Sequence, residues 1–177
     1  GPRHTEAPSR IMAVMTWSAD GSPCNYFRGL APERLIAVGW LEKNKPYAEG
    51  PVAPEVVAKV ERLADRSPYI FVFRGFHVCA LCEPQLPGEL TDADGRRLPS
   101  SSHLNIFVPN SATVIVAPEC LPHYIAAHGY CPPRAFCDAV LRCPEPADGT
   151  ALRDALIAAG GPAFDREFEF FASIKVR

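Results

Sequence analysis

The chain has 177 residues, 47% of them hydrophobic, and a formal net charge of −2. That length fits one domain with a core that stands without staples, and the composition excludes a disordered chain. Scattered basic residues, with Arg96-Arg97 the one adjacent pair, exclude a dedicated nucleic-acid binder, which would show a basic face.

The chain shows no apolar run of the ~18 residues a transmembrane helix needs, and no secretory signal pattern, so a membrane location is not expected. Gly1-Pro2 resembles the scar left by a tag protease and is set aside. Residues 1–24 form an N-terminal segment in which Ile11 to Trp17 is apolar enough for a strand. Residues 25–177 are expected to form a single α+β domain. Seven cysteines, Cys24, Cys79, Cys82, Cys120, Cys131, Cys137 and Cys143, are odd in number and irregular in spacing. That pattern points to a reducing, cytoplasmic setting rather than a disulfide framework.

Arg34 to Leu41 is a short apolar run bounded by charge and turn residues, which predicts a buried strand. Pro54 opens a helix, with Glu55 near its positive end. Val56, Val57, Val60, Leu63 and Ala64 recur on one face until Ser67-Pro68. Tyr69 to Phe73 is β-branched and aromatic and reads as a strand. Glu83 to Ser102 is a long polar loop with room for a short hairpin. His103 to Val108 and Thr113 to Ala117 read as a strand pair around a Pro109-Asn110-Ser111 turn.

Pro118 and Glu119 start a second helix, on which Leu121, Tyr124, Ile125 and His128 share a face and which Gly129 stops. Pro132-Pro133 opens a third, carrying Phe136, Cys137, Val140 and Leu141 inward until Cys143-Pro144. Ala147 to Ala159 is a fourth, capped by Gly160-Gly161. Phe168, Phe170, Ala172, Ile174 and Val176 alternate with polar neighbours, which predicts a C-terminal strand with one wet face. The sum is an α+β fold: a mainly antiparallel sheet with helices packed on one side.

The chemistry concentrates in two places. His77, Cys79 and Cys82 lie within six residues after an apolar run, and His123 and His128 lie about forty residues on. Zinc takes thiolate and imidazole ligands in a tetrahedron, and a Cys-x-x-Cys turn supplies one edge of it. Cys79, Cys82, His123 and His128 thus form a candidate Cys2His2 set. Residues five apart sit about 140° apart around a regular helix, which sets His123 and His128 against each other. His128 shares the apolar face and is the preferred remote ligand, and His77 is a candidate for the fourth position. Two other readings stay open. With three protein ligands and an activated water, the site would be a metal-dependent hydrolase with His77 or His123 as general base. Without a metal, Cys79 and Cys82 would be a dithiol redox pair.

Several segments together resemble a family of small, uncharacterised bacterial proteins: Val38-Gly39-Trp40-Leu41-Glu42, Lys45 to Gly50, Arg74 to Cys82, Leu104 to Val108 and Ala117 to Pro133. The resemblance covers about residues 25–143 and includes all five candidate ligands, with residues 149–177 outside it. It implies a bacterial cytosolic protein with no assigned family activity. Together with the ligand chemistry, the expectation is a zinc-stabilised module that binds another protein or a small molecule.

Overall fold

The β-hairpin expected from the sequence supplies two of the three strands of the main sheet, its second strand central and its first on an edge. A computed structural model of the chain describes residues 17–24, 32–72, 77–82 and 92–173. Strands β4 (Asn105–Asn110) and β5 (Thr113–Pro118) pair antiparallel from Asn105↔Pro118 to Asn110↔Thr113. A two-residue link joins them, with Ser111 at φ 55°. Strand β1 (Leu35–Ala37) adds on the other edge of β5, parallel, from Leu35↔Val114 to Ala37↔Val116. A separate two-stranded arm pairs β2 (His77–Val78) with β3 (Ser101–Ser102) antiparallel. The α+β class expected from the sequence holds, with a mostly antiparallel sheet and helices packed against it.

Those helices are α1 (Pro54–Asp65), α2 (Leu121–His128), α3 (Arg134–Arg142), α4 (Gly149–Gly160) and α5 (Pro162–Ser173). Helices α1, α3 and α4 fall where the sequence puts them, whereas α2 starts three residues later than expected, because Pro118 ends the preceding strand and Glu119 and Cys120 form a turn before Leu121. Pro54 opens α1, whose Val56, Val60, Leu63 and Ala64 are buried. Asp148 caps α4 by accepting from the Ala151 amide at 3.1 Å, the usual way a side chain satisfies a free first-turn N–H. Strand β5 is apolar and buried from Val114 to Pro118, as befits a strand paired on both edges. Ile106, Phe107 and Val108 of β4 are all 1% exposed or less, so Phe107, placed on the polar side by its alternation, is core.

Three expectations are corrected or shortened. The largest is the C-terminal strand: residues 162–173 are helix α5, and residues 174–177 lie outside those described. Alternation of Phe168, Phe170 and Ala172 misled because Phe164 and Phe168 also sit at i, i+4 and share a helical face. Phe164 is 0% exposed and Phe168 packs against the core, while Phe170 is 60% exposed. Burial of Phe164, with Pro162 at the helix start, decides for the helix.

The expected strand Tyr69 to Phe73 is not a strand over residues 69–72, and Phe73 lies outside the described residues. Phe71 has φ 47°, a left-handed value that no strand accommodates. Its ring packs edge-on to Phe164, centroids 4.9 Å apart, and lies 5.8 Å from Phe107. Its amide donates to Glu167 Oε2 at 3.1 Å. Tertiary packing against α5 thus overrides local β propensity. The strand expected over Arg34–Leu41 shortens to Leu35–Ala37 because Gly39 turns the chain at φ 78°. A Cβ on Gly39 would lie 2.7 Å from Leu121 Cδ1, so α2 packs against bare backbone there. The strand expected at Ile11 to Trp17 lies outside the described residues but for Trp17.

Lys59 is a buried cation, 5% exposed. Its ammonium donates to Leu141 O at 3.3 Å and to Cys143 O, so it closes the end of α3, where unpaired carbonyls and the negative end of the dipole favour a cation. Lys59→Met keeps the stem and removes the ammonium. It should cost about 1–3 kcal/mol, because buried carbonyls lose their charged donor. Urea denaturation reads this directly, and an unchanged midpoint would contradict the role.

Candidate metal centre

The site is built where the β2–β3 arm meets α2. Strand β2 delivers the turn Cys79-Ala80-Leu81-Cys82. Cys79 N donates to Ser100 O at 2.8 Å, which fastens the turn to the chain entering β3. Ser102 of β3 accepts from Cys120 N at 2.7 Å through its Oγ, and Cys120 is the residue that caps α2. Glu119, 7% exposed, adds a second tie. Its Oε1 accepts from the His103 and Leu104 amides at 3.0 and 3.3 Å and pairs with Arg97 Nε at 3.1 Å. The cysteine turn and the histidine helix are therefore held by hydrogen bonds that involve none of the four candidate donor atoms.

Cys79, Cys82, His123 and His128 converge, one donor atom from each lying within 4.8 Å of all the others. Cys79 Sγ is 3.4 Å from His128 Nε2, and Cys82 Sγ is 3.2 Å from His123 Nε2 and 3.4 Å from His128 Nε2. The two Nε2 atoms are 3.3 Å apart. For bond lengths near 2.3 Å to sulfur and 2.05 Å to nitrogen, a tetrahedral ion separates its S and N ligands by ~3.6 Å and its two N ligands by ~3.3 Å. These four separations lie close to those values, and the cluster could hold a metal ion. The interleaving of sulfur and nitrogen also argues against a two-iron cluster, which would hold the cysteines and histidines on opposite irons.

His123 therefore belongs with His128, and the expectation that the two point apart is corrected. Both lie within α2, the third and last of its residues, before Gly129 turns left-handed at φ 66°. Helical side chains are not radial spokes: Cα–Cβ bonds tilt toward the N-terminus, so His128 leans back toward His123. Each imidazole also carries Nε2 well beyond the helix surface. The side chain of His77, the fifth candidate, lies outside the described residues; its backbone pairs with Ser102 in the β2–β3 arm.

Burial dominates the titration of the cluster. Cys79 is 0% exposed, and burial pushes its thiol up to about 12, although Leu81 and Cys82 amides donate to its sulfur and oppose that shift. Those amides point at the position a thiolate would take, while burial favours the neutral thiol. Burial, and then the neighbouring His128, lowers the His123 pKa, which keeps that imidazole in the neutral form that ligates. Tyr124, 0% exposed, lies beneath both rings, 6.2 Å from His123 and 6.5 Å from His128 between centroids.

Sequence reasoning missed the groups that hold the far end of α2. Tyr47 Oη donates to His128 O at 2.9 Å. Gly50 N donates to Gly129 O at 3.2 Å, and Cys131 N to Ala48 O at 2.9 Å, so the 47–50 segment clamps the end of the helix. Tyr130 Oη donates to Asp20 Oδ2 at 2.6 Å, and Asp20 Oδ1 accepts from Gly39 N at 2.9 Å. The one available signal was the run Lys45-Pro46-Tyr47-Ala48-Glu49-Gly50, whose contact with α2 bridges about eighty residues of chain.

Among the described residues, no helix is long and apolar enough to cross a membrane. Residues 16–141 match the family described as Domain of unknown function (DUF7919). That is well over half of the chain and includes all four donors, so the chain belongs to this family. The motifs led to a family without an assigned activity, and this is such a family; α4 and α5 lie beyond the match. No curated protein and no solved structure matches the chain.

Proposed function

We propose that this member of the DUF7919 family is a zinc-stabilised binding module, with residues 25–177 as one domain and Cys79, Cys82, His123 and His128 as the ligands. The observation that carries the reading is the convergence of two sulfurs and two imidazole nitrogens at 3.2–3.4 Å. Two thiolates and two imidazoles suit zinc, whose structural sites are tetrahedral and closed. The ion would tie the β2–β3 arm to α2, joining parts of the chain about forty residues apart. A dithiol redox pair explains two of the four converging groups; a metal explains all four. Four protein donors complete a tetrahedron, which favours a structural ion over a hydrolase with an open position.

Cobalt substitution tests the closed site. The Co(II) protein should show the intense d–d bands of a tetrahedral ion together with thiolate-to-metal charge transfer. Those bands should not move when azide or cyanate is added. Weak octahedral bands, or bands that shift with added anion, would favour an open site and revive the hydrolase. Because thiols and imidazoles must lose protons to bind, acid should bleach the spectrum as pH falls below about 6, where imidazole protonates.

A further inference from the structure

All seven cysteines are free thiols, and burial divides them. Cys24, Cys79, Cys120 and Cys143 are buried and shielded from solvent. Cys82 is half-buried but belongs to the candidate metal centre. That leaves Cys131 and Cys137, both half-buried and neither among the four converging donors.

The backbone brings these two together. Cys131 follows the end of α2, and its amide donates to Ala48 O at 2.9 Å. Its side chain lies against Gly50, where a Cβ would be 3.7 Å from Cys131 Cβ. Pro132 and Pro133 then lead into α3, and the Cys137 amide donates to Pro133 O at 3.1 Å. Both sulfurs reach one carbonyl: Cys131 Sγ lies 3.7 Å and Cys137 Sγ 3.8 Å from Pro132 O. The thiols also sense each other. Burial first, and then the charge of Cys131, raises the Cys137 pKa. Two reachable thiols at one oxygen, each on hydrogen-bonded backbone, are placed to be joined. Closure to an S–S bond of ~2.05 Å then falls to rotation of two short side chains.

We infer that Cys131 and Cys137 are a reversible redox pair that exchanges with small disulfides of the glutathione class. Cys131, as thiolate, attacks one sulfur of the oxidised glutathione, releasing one glutathione and leaving a mixed disulfide. Cys137 then attacks the Cys131 sulfur and expels the second glutathione. Each protein thiol gives up its proton to a departing glutathione thiolate. The protein loses two hydrogens with their two electrons, and the small disulfide is reduced to two thiols. Burial holds back the Cys137 thiol, which gives the first attack to Cys131. The bridge would join the exit of α2 to α3, beside the 47–50 segment that clamps the same end. It uses none of the four metal donors, so it stands whether or not that centre holds an ion.

The test incubates the full chain, as purified, with excess glutathione disulfide and reads the intact mass and mapped peptides after alkylation. The expected product is lighter by two hydrogens, carries a Cys131–Cys137 bridge, and returns to the dithiol under dithiothreitol. Cys137→Ser should stop at a glutathione adduct on Cys131, and Cys131→Ser should form no bridge. Glutathione held separately on Cys131 and Cys137 of the wild type would overturn the inference. So would both thiols remaining reduced, or either one bridging to another cysteine instead.

Discussion

Cys82→Ala is expected to lose the metal and to lower the melting temperature by about 10 °C or more. Structural zinc contributes directly to folding, since the unfolded chain holds no assembled site, and apparent binding energies run to ~10–16 kcal/mol in zinc-finger peptides. The folded protein here has a core besides the candidate site, so an ion would contribute only part of that to stability. A loss of ~3–5 kcal/mol in a domain of this size corresponds to roughly 10 °C. Cys82 is the discriminating position because its sulfur contacts both imidazoles, at 3.2 and 3.4 Å. A chelator should bring wild type down to the variant's melting temperature and should leave the variant unchanged. Cys131→Ala, outside the cluster, serves as the control that keeps its metal. Unchanged metal content and stability in Cys82→Ala would remove the structural ion.

Phe164→Ala should cost about 3–5 kcal/mol, the range for truncating a fully buried aromatic side chain. Phe164 is 0% exposed and makes edge-on contacts with Phe71 and Phe107 at 4.9 and 5.6 Å between centroids. It thereby fixes α5 to β4 and to the left-handed turn at Phe71. The same substitution should leave zinc stoichiometry intact, because none of the four donors lies on α5. Urea denaturation and metal analysis on one preparation read both halves of this prediction. A cost below about 1 kcal/mol, the scale of a surface change, would show that α5 is not part of the core. That result would matter for the family as well, since α5 lies outside the matched residues.

The contrast between α1 and α5 shows what the sequence makes legible. In α1 the proline start, the acidic first turn and the apolar spacing all agree, so local and tertiary preferences coincide. In α5 the phenylalanines satisfy period 2 and period 3.6 together, and only burial of Phe164 separates the two. Tyr69 to Phe73 fails for a related reason. Its residues prefer strands, but the partner that sets its geometry, Glu167, is 96 residues away.

The donor types at the metal centre were legible because thiol and imidazole clusters are rare and chemically specific. Their convergence was not, because a helical wheel discards side-chain length and the tilt of Cα–Cβ. The supporting shell was less legible still. Tyr47 and Ser102 look like ordinary loop residues and Glu119 like part of a helix start, and their roles exist only once distant segments meet. Arg96 and Arg97 are adjacent in sequence, yet one is neutralised by Glu119 and the other is not, a difference that composition cannot carry.

The central claim is that one zinc ion holds the cysteine turn against α2. Elemental analysis of the full chain, purified without added metal and without chelator, tests it most directly. About one zinc per chain is predicted, falling to none in Cys82→Ala. Protein that is folded and free of zinc and of any other transition metal would contradict it, and would leave Cys79 and Cys82 to be explained as thiols.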